Sequence, residues 1–306
     1  MSAPAHRAGF VTLLGLSNVG KSTLLNRLVG EKVAIVSPRP QTTRARITGI
    51  KTIPAAQVIF VDTPGLHESK GKLGRFMVKA VHQALEGVDL VCLIAEATED
   101  PGESDRGLNQ DLFKALTPFR GPVFCCLNKV DLVRPKERIL PLIDAYRERY
   151  PFEEILPISA AAGTNCDRLL DLIVAALPEH PPYFPPDSLT SQPETFFVAE
   201  VIREKLFFST HDEIPYACAV RVEQLEEREG RDLLYIRAVI FVEQDSQKSI
   251  VIGKGGAMVR RIGGAAREEL ERFFGVKVFL ELRVEVRHRW RRDDRALREF
   301  GFMLTS

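Results

Sequence analysis

The chain has 306 residues, a length that predicts about two domains. Hydrophobic residues make up 45% and charged residues 27%, the usual mixture of a globular protein, which argues against extensive disorder. The 42 basic and 41 acidic residues nearly cancel, so a surface for nucleic acid has to be a local basic patch. The apolar runs are too short to span a bilayer and the first residues lack a secretory signal, so we expect a cytoplasmic protein with five reduced cysteines.

In the first part of the chain, short apolar runs alternate with longer amphipathic segments, which is typical of an α/β fold with a parallel sheet. The predicted strands are Phe10–Leu14, Arg46–Thr52, Val58–Val61, Asp89–Ala95, Val123–Leu127 and Ile155–Ile158. The predicted helices are Ser22–Leu28, Gly74–Leu85, Arg106–Leu116, Lys136–Tyr150 and Cys166–Leu177. The turn between the second and third strands is too short for a crossover, so these two should form an antiparallel hairpin at the edge of a mostly parallel six-stranded sheet.

A proline-rich segment, residues 178–193, contains six prolines and interrupts this pattern. Proline lacks a backbone donor and has a fixed φ, so the segment should act as a semi-rigid linker. We therefore predict a first domain at residues 1–180, a linker at 181–195 and a second domain at 196–306 with a basic tail. The second domain should be α+β, with its elements at Phe196–Phe208 (helix), Tyr216–Leu225 and Asp232–Val242 (strands), Ser246–Ile252 and Met258–Phe274 (helices), and Val276–Val286 (strand).

A phosphate-binding motif follows the first predicted strand. The pattern GxxxxGK[ST] stands between a strand and a helix, the context that a P-loop requires. Its residues are Gly15, Leu16, Ser17, Asn18, Val19, Gly20, Lys21 and Ser22. Backbone N–H groups in such a loop point at phosphate oxygens, and the helix N-terminus adds partial positive charge. We expect Lys21 to reach the β- and γ-phosphates and Ser22 to bind Mg²⁺.

Three more segments lie at the C-terminal ends of predicted parallel strands, where open α/β sheets bind ligands. They consist of Asp62, Thr63, Pro64, Gly65 and Leu66, then Asn128, Lys129, Val130 and Asp131, then Ser159 and Ala160. Asp62 can hold Mg²⁺ and the Gly65 N–H can sense the γ-phosphate, while Asp131 can accept two hydrogen bonds from guanine that adenine does not offer. Each segment alone also suits an ordinary turn or strand end. Their order resembles a translation-factor-class small GTPase that binds GTP and GDP.

The loop after the first predicted helix contains Thr42 and Thr43. A threonine hydroxyl there can bind Mg²⁺ only while the γ-phosphate is present, which would make the loop a switch. We favour a switch over a polar surface loop, and we prefer Thr43 to Thr42 as the ligand. Leu66 stands where Ras-like enzymes have a water-orienting glutamine, so catalysis must use another group, a cation or a partner. The candidate catalytic residues are Lys21, Thr43 and Gly65. In related potassium-dependent GTPases an asparagine at the position of Asn18 helps to bind K⁺. Whether Asn18 does so or only stabilises its turn stays open.

The second domain contains a GxxG loop between two predicted helices, the arrangement with which KH domains clamp a nucleic-acid backbone. The candidate RNA contacts are Gly253, Lys254, Gly255, Gly256, Arg260 and Arg261. Lys248–Arg267 holds five basic residues and no acidic one, and Arg287–Arg292 is a second basic run. A GxxG alone also suits a plain turn between helices. We expect Trp290 in the core rather than stacked on a base.

Phe60–His67 and Gly71–Gly74 resemble the Era family of bacterial GTPases, and the α-β-β-α-α-β order with its GxxG loop resembles a type II KH domain. The resemblance covers nearly the whole chain. It implies a monomeric, Mg²⁺-dependent GTPase that binds small-subunit (16S) rRNA near its 3′ end, assists assembly and maturation of the small ribosomal subunit, and associates peripherally with the cytoplasmic face of the inner membrane. We see no sequence feature that supports the membrane association. Two alternatives stay open: a related GTPase acting in tRNA modification or another assembly event, and an RNA-binding module that binds nucleotide without hydrolysis.

Overall fold

The computed structural model of the chain describes residues 6–37, 42–43, 46–63, 84–98, 113, 116–228 and 232–300. The chain divides into two compact units. The first holds the residues up to Ser191 except Ile35–Ser37, and the second holds Ile35–Ser37 and the residues from Gln192 onwards. The predicted helices Gly74–Leu85 and Arg106–Leu116 lie almost entirely outside the described residues. In the part of the chain that is described, no helix is both long and apolar enough to cross a membrane.

A six-stranded sheet forms the centre of the first unit. Its strands are β1 (Arg7–Leu14), β2 (Ile47–Ile53), β3 (Ala56–Asp62), β4 (Leu90–Glu96), β5 (Val123–Asn128) and β6 (Glu154–Pro157). They lie in the order β2-β3-β1-β4-β5-β6, and every neighbouring pair is parallel except β2 and β3, which are antiparallel. The predicted mostly parallel sheet with a hairpin at its edge is therefore confirmed. β3 is buried along its whole length, as expected for a strand inside a sheet covered on both faces.

The helices described in full in the first unit are α1 (Lys21–Val29), α2 (Ile139–Arg149) and α3 (Cys166–Ala176). α1 buries Leu24, Leu25 and Leu28, which lie on one face at helical spacing. Gly30 follows its last residue and has a φ of 93°, a left-handed conformation that glycine adopts easily at a helix end. The predicted helix Lys136–Tyr150 opens with a 3-10 turn, Lys136–Arg138, before α2 begins.

The second unit is an α+β domain with a three-stranded sheet. Its elements are α4 (Glu194–Ser209), α5 (Ile214–Ala217), β7 (Ala219–Glu227), β8 (Leu233–Val242), α6 (Asp245–Ile252), α7 (Ala257–Phe274), β9 (Lys277–Val286) and α8 (Asp294–Glu299). The strand order is β7-β8-β9, with β7 and β8 antiparallel and β8 and β9 parallel. Alternate residues of β8, among them Ile236, Ala238 and Ile240, pack with α4 and α7 in one hydrophobic core. Apart from the short helices α5 and α8, the element order α4-β7-β8-α6-α7-β9 is the predicted α-β-β-α-α-β order.

The predicted strand Tyr216–Leu225 begins later than expected. Residues Ile214–Ala217 form the short helix α5, and β7 starts only at Ala219. Pro215 lies in the first turn of α5, where its missing N–H removes no helical hydrogen bond. The helix α8, which follows β9, was not predicted from the sequence.

The proline-rich segment is held against the first unit. Gln57 on β3 is fully buried, and its Oε1 accepts hydrogen bonds from the N–H groups of Tyr183 and Phe184 at 2.8 and 2.9 Å. Its Nε2 donates to the carbonyl oxygen of Phe184 at 2.9 Å. Further along, the N–H of Ile50 on β2 donates to the carbonyl oxygen of Leu189 at 2.8 Å. The segment connects the two units, but residues 183–189 follow the edge of the first one.

Candidate nucleotide and RNA sites

The phosphate-binding loop runs from the end of β1 to the start of α1. A Cβ atom on Gly15 would lie 2.3 Å from the carbonyl oxygen of Ile94, and one on Gly20 would lie 2.3 Å from Nδ2 of Asn128. Gly20 also has a φ of 99°, a conformation that other residues rarely adopt. Only glycine therefore allows the loop to pass this close to β4 and β5.

Lys21 is the first residue of α1, and only 6% of its surface is exposed. Its Nζ donates hydrogen bonds to the carbonyl oxygens of Gly15 at 3.1 Å and Leu16 at 2.8 Å. Burial lowers the pKa of Lys21 to about 8, although the neighbouring Asp62 carboxylate acts to raise it. Phosphate oxygens in the loop would favour the charged ammonium, because a nearby opposite charge raises the pKa of a lysine.

The three predicted magnesium ligands lie together. Ser22 Oγ donates to Oδ2 of Asp62 at 2.6 Å and lies 2.9 Å from Oγ1 of Thr43. Thr43 Oγ1 is 3.5 Å from the same carboxylate oxygen. The three side chains come from the start of α1, the loop after α1 and the end of β3. Hydroxyl and carboxylate oxygens are the hard ligands that Mg²⁺ prefers.

The Asp62 carboxyl group is fully buried, and burial raises its pKa. The charge of Lys21 and hydrogen bonds from Ser22, Thr43 and the Thr63 N–H oppose this shift. Its Oδ1 is buried and has no hydrogen-bond partner among the described residues. The described residues contain no group of three or more His, Cys, Asp or Glu side chains that could hold a metal ion. The Ser22 and Thr43 hydroxyls and the Asp62 Oδ1, unpaired among these residues, fit a Mg²⁺ ion that takes its remaining ligands from nucleotide phosphates and water.

Asn128 braces the nucleotide site from the end of β5. Its Nδ2 donates to the carbonyl oxygen of Val19 at 2.7 Å, and its Oδ1 accepts from the N–H of Ala160 at 2.9 Å. The side chain is almost fully buried. One amide group thus links the phosphate loop to the loop after β6.

Lys129 and Asp131 follow Asn128 in a tight turn. Lys129 has a φ of 66°, and its ammonium group forms an ion pair with Glu96 at the end of β4. Asp131 lies in a 3-10 turn, Val130–Leu132, and its Oδ1 is buried with no partner in the described part of the chain. A buried carboxylate oxygen without a donor is costly, and hydrogen bonds from a guanine edge would satisfy it.

The loop of Ser159 and Ala160 is held inside the first unit. The N–H of Ser159 donates to the carbonyl oxygen of Thr164 at 3.1 Å, and the N–H of Ala160 donates to Asn128. Both N–H groups at this strand end are thus engaged within the first unit. Arg27 of α1 also holds this loop, because its Nε donates to the carbonyl oxygen of Ala160 at 3.2 Å.

The sequence-based predictions missed two residues of the site, which are Arg27 and Glu96. Arg27 contacts a residue 133 positions away along the chain, and Glu96 pairs with a lysine 33 positions away. Neither belongs to a recognisable motif, so no sequence signal marks it. Pro64, Gly65 and Leu66 lie outside the described residues, and their predicted roles stay predictions.

In the second unit, the GxxG loop joins α6 to α7. Gly253, Gly255 and Gly256 have φ values of 73°, 58° and 79°. A Cβ atom on Gly253 would lie 2.7 Å from Cβ of Met258, whereas one on Gly255 would meet no heavy atom within 4 Å. Lys254 beside it is exposed. The loop presents its backbone and one ammonium group to solvent, as a clamp on a nucleic-acid backbone requires.

The two predicted arginine contacts differ in their surroundings. Arg260 is exposed and lies next to the loop, since a Cβ atom on Gly256 would be 3.2 Å from its Nη1. Arg261 instead donates from Nη2 to the carbonyl oxygen of Ser209 at 3.0 Å, at the end of α4. Arg260 is therefore better placed than Arg261 to meet a ligand at the loop.

Trp290 lies in the core of the second unit. It is 2% exposed, and its Nε1–H donates to the carbonyl oxygen of Ala217 at 2.9 Å. Its ring contacts Phe300 edge to face at 5.3 Å between centroids. The expectation that this residue packs in the core is confirmed.

Two protein-family models match the chain. A model described as a 50S ribosome-binding GTPase matches residues 10–129, and a KH domain model matches residues 213–291. The first match includes the phosphate loop, the Asp62 segment and the start of the Asn128 motif. The second includes the GxxG loop and both helices beside it.

The chain also resembles complete proteins from end to end. It is 51% identical over 302 residues to GTPase Era of Geobacter metallireducens, covering 99% of this chain and 100% of that protein. It is 46% identical over 297 residues to GTPase Era of Lacticaseibacillus paracasei, covering 97% of each.

Two solved structures match both units. A variant of Aquifex aeolicus Era bound to GDP·AlF4⁻ matches with a TM-score of 0.91 at 40% identity, covering 97% of this chain and 100% of that one. Era in complex with MgGDPNP and nucleotides 1506–1542 of 16S ribosomal RNA matches with a TM-score of 0.91 at 40% identity, covering 98% of this chain and 100% of that one. With this likeness over both units and the site residues in place, the chain belongs to the Era family of GTPases.

Proposed function

We propose that the chain couples GTP hydrolysis in its first unit to the binding of 16S rRNA near its 3′ end by its second unit, and that it assists assembly and maturation of the small ribosomal subunit. The observation that carries the proposal is the exposed GxxG loop with Lys254, in a chain 40% identical to a relative solved with nucleotides 1506–1542 of that RNA. GTP hydrolysis itself follows from membership of this GTPase family.

The geometry of the first unit supports a Mg²⁺-dependent reaction. Backbone N–H groups of the phosphate loop bind the β- and γ-phosphates, and Lys21 places positive charge beside them. Ser22, Thr43 and Asp62 are the residues that would hold Mg²⁺, which when bound neutralises charge on the phosphate oxygens. Thr43 belongs to the loop after α1, so its hydroxyl ties the conformation of that loop to the γ-phosphate.

We also propose that K⁺ takes part in hydrolysis, with Asn18 as a ligand. Asn18 lies in the phosphate loop with a φ of 64°, between β1 and α1. Leu66 is apolar and cannot orient the attacking water, so a bound cation would supply the charge stabilisation that other GTPases obtain from a polar group or an arginine. Hydrolysis should then be faster in K⁺ than in Na⁺ at equal ionic strength, and Asn18→Ala should abolish the difference. Equal rates of phosphate release in the two salts would contradict the K⁺ proposal alone.

Three further properties belong to the same proposal. They are a monomeric state, a cytoplasmic location and peripheral contact with the cytoplasmic face of the membrane, and the last is supported only by the family resemblance. Analytical ultracentrifugation tests the first, and flotation of the full chain with and without anionic vesicles tests the last.

Crosslinking of the full chain to cellular RNA tests the proposed RNA target. The crosslinks should cluster near the 3′ end of 16S rRNA, and the same preparation should release phosphate from GTP over many turnovers. Crosslinks concentrated in tRNA would favour the alternative of a tRNA-modifying GTPase. A single turnover without further phosphate release would instead indicate a nucleotide-dependent RNA-binding module.

A further inference from the structure

The basic run Arg287–Arg292 has no role in the function proposed above. In the structure it forms the connection between β9 and α8, which we call the β9–α8 loop. The N–H of Arg287 donates to the carbonyl oxygen of Val242 at 2.8 Å, and the buried Trp290 ring anchors the middle of the loop. Arg289, just before this tryptophan, has a φ of 53°, which is uncommon for a residue other than glycine. The loop therefore has a backbone set by its packing.

Glu243, at the end of β8, fixes the other side of the β9–α8 loop. Its carboxylate pairs with the guanidinium group of Arg291, through Nε at 2.9 Å and also through Nη2. Nδ1 of His288 lies 3.1 Å from the carbonyl oxygen of Glu243. The charges of Glu243 and Arg291 thus cancel, and this pair acts as a support for the loop.

A cavity of about 1060 Å³ opens beside this support. It is lined by Glu243, Gln244, His288, Arg289, Arg291 and Arg292. Arg289 and Arg292 are exposed, and neither side chain has an ion pair or hydrogen bond with any residue that the structure describes. Two positive charges therefore line the cavity without an acidic partner in that part of the chain, on a loop whose backbone is already held in place.

Guanidinium groups favour phosphate as a ligand, because their planar donors match two phosphate oxygens at once. The cavity is larger than a typical pocket for a small ligand, about 300–1,000 Å³, so it has room for at least one nucleotide of a polymer. Gln244 precedes α6, and α6 ends at the GxxG loop. Eight helical residues rise about 12 Å, so the cavity lies one short helix away from the clamp. An RNA strand is thus a better match than an isolated anion.

We propose that Arg289 and Arg292 form a second contact for RNA phosphates in the KH unit, separate from the GxxG loop, with the Glu243–Arg291 pair as its support. The proposal rests on the RNA-binding function proposed above. It adds that a strand held at the clamp continues towards the start of α6 and is bound there through its backbone.

The double variant Arg289→Gln with Arg292→Gln tests this in the full chain. Its affinity for single-stranded RNA of about 12 nucleotides, a length that strand-tracking grooves bind, should be measured between about 50 and 200 mM salt. Each phosphate that is no longer neutralised on single-stranded RNA lowers the salt slope by about 0.7, so the slope should fall by about 1.4. A fragment of about four nucleotides, the length that a KH clamp holds, should bind the wild-type chain and the variant equally.

The matched control removes two positive charges elsewhere on the same unit. Arg272→Gln with Lys277→Gln alters two exposed residues: Arg272 lies in the last turn of α7, about 24 Å along that helix from Gly256, and Lys277 is the first residue of β9. This control should keep the wild-type slope, and circular dichroism should show both double variants folded.

An unchanged slope in the loop variant, or an equal fall in the control, would overturn the second contact. A fall of the same size for the short fragment would overturn it too, because the arginines would then act on the clamp. Binding to anionic vesicles in place of RNA would identify a lipid headgroup site instead. A wild-type chain that binds no RNA would contradict the proposed function itself, which distinguishes that failure from the others.

Discussion

Asn128 shows what a single residue does in the nucleotide site. Its amide holds the phosphate loop at Val19 and the loop after β6 at Ala160, and it also occupies the space that a Cβ atom on Gly20 would need. The motif around Asn128 predicts a residue near the base. It does not predict this bracing role, because Val19 is 109 positions away along the chain.

The base specificity of the site should depend on Asp131. An amide in place of the carboxylate donates where the carboxylate only accepts, so Asp131→Asn should weaken GTP binding and favour xanthosine triphosphate. A site built around hydrogen bonds discriminates by about 10⁴–10⁵-fold against a ligand that lacks them. Competition of GTP and xanthosine triphosphate against a fluorescent nucleotide measures the change. The exposed Asp144→Asn is the matched control, and unchanged GTP affinity in the Asp131 variant would remove this residue from the base site.

The buried Lys21 should make the stability of the nucleotide-free protein depend on pH. Its pKa of about 8 lies below the ordinary value of 10.5, so between these values the unfolded chain holds a proton that the folded chain lacks. The free energy of unfolding should therefore rise as the pH increases through this window. The Lys21→Met variant should lack this rise. Across the window, the difference in the free energy of unfolding between the wild-type protein and the variant should therefore change by on the order of 1–3 kcal/mol.

Urea unfolding followed by circular dichroism, at several pH values between about 7 and 10.5, measures this difference. Lys277→Met is a suitable control, because this lysine side chain is 78% exposed. Its profile should run parallel to that of the wild-type protein. If the pH profile of Lys21→Met were also parallel to that of the wild-type protein, Lys21 would stay protonated throughout this range.

At the scale of elements, the GxxG loop is the short connection between two helices: α6 ends at Ile252 and α7 begins at Ala257. Apolar spacing predicts α6 and α7 closely, and Gly253 and Gly256 have the positive φ values that the turn between them requires. Which residues beside the turn face a ligand could not be predicted from spacing. Arg260 and Arg261 are neighbours in sequence, yet it is Arg261 that is tied to the end of α4.

RNA binding should depend on this loop and GTP hydrolysis should not. Lys254→Asp with Gly255→Asp replaces a cation by an anion and adds a second carboxylate at a position where a Cβ atom meets no neighbour. Aspartate tolerates the left-handed conformation of Gly255 better than most residues, so the unit should fold. The salt slope for single-stranded RNA should fall by about 0.7 for each phosphate that the loop no longer binds. The rate of phosphate release should remain within about twofold of the wild-type rate, a change of about 0.4 kcal/mol in the activation barrier, because the phosphate loop belongs to the other unit.

Both activities should be measured on one preparation, with circular dichroism as the folding control. Retained RNA affinity in a folded variant would mean that the GxxG loop is only a turn. Loss of both activities in a folded variant would mean that hydrolysis needs an intact KH unit.

At the scale of the whole molecule, the proline-rich segment is where the structure differs most from the sequence-based expectation. The prolines predict an extended connection, and residues 183–189 are bound to β2 and β3 instead of lying free. Gln57 makes three of these hydrogen bonds from inside a strand. The sequence around Gln57 does not indicate that its partners are Tyr183 and Phe184, which lie far along the chain.

Loss of the Gln57 hydrogen bonds should release this segment. Gln57→Leu keeps a similar volume but removes three hydrogen bonds to the segment, each worth about 1 kcal/mol. Limited proteolysis should then cut within residues 181–195 faster than in the wild-type chain. Thr190→Val, which removes one hydroxyl bond to the carbonyl oxygen of Thr48, should have a smaller effect. Equal cleavage rates in all three proteins would show that the prolines alone hold the segment.

The sequence by itself determined the alternation of strands and helices, the edge hairpin, the phosphate loop and the order of the motifs along the chain. These follow from local rules, since periodicity, glycine positions and turn length act within a few residues. Only the tertiary structure decided that Ser22, Thr43 and Asp62 meet, that Glu96 holds Lys129, and that Glu243 pairs with Arg291 beside the cavity. Such contacts join residues that are distant along the chain, and they arise from the packing of whole elements, which no local pattern records.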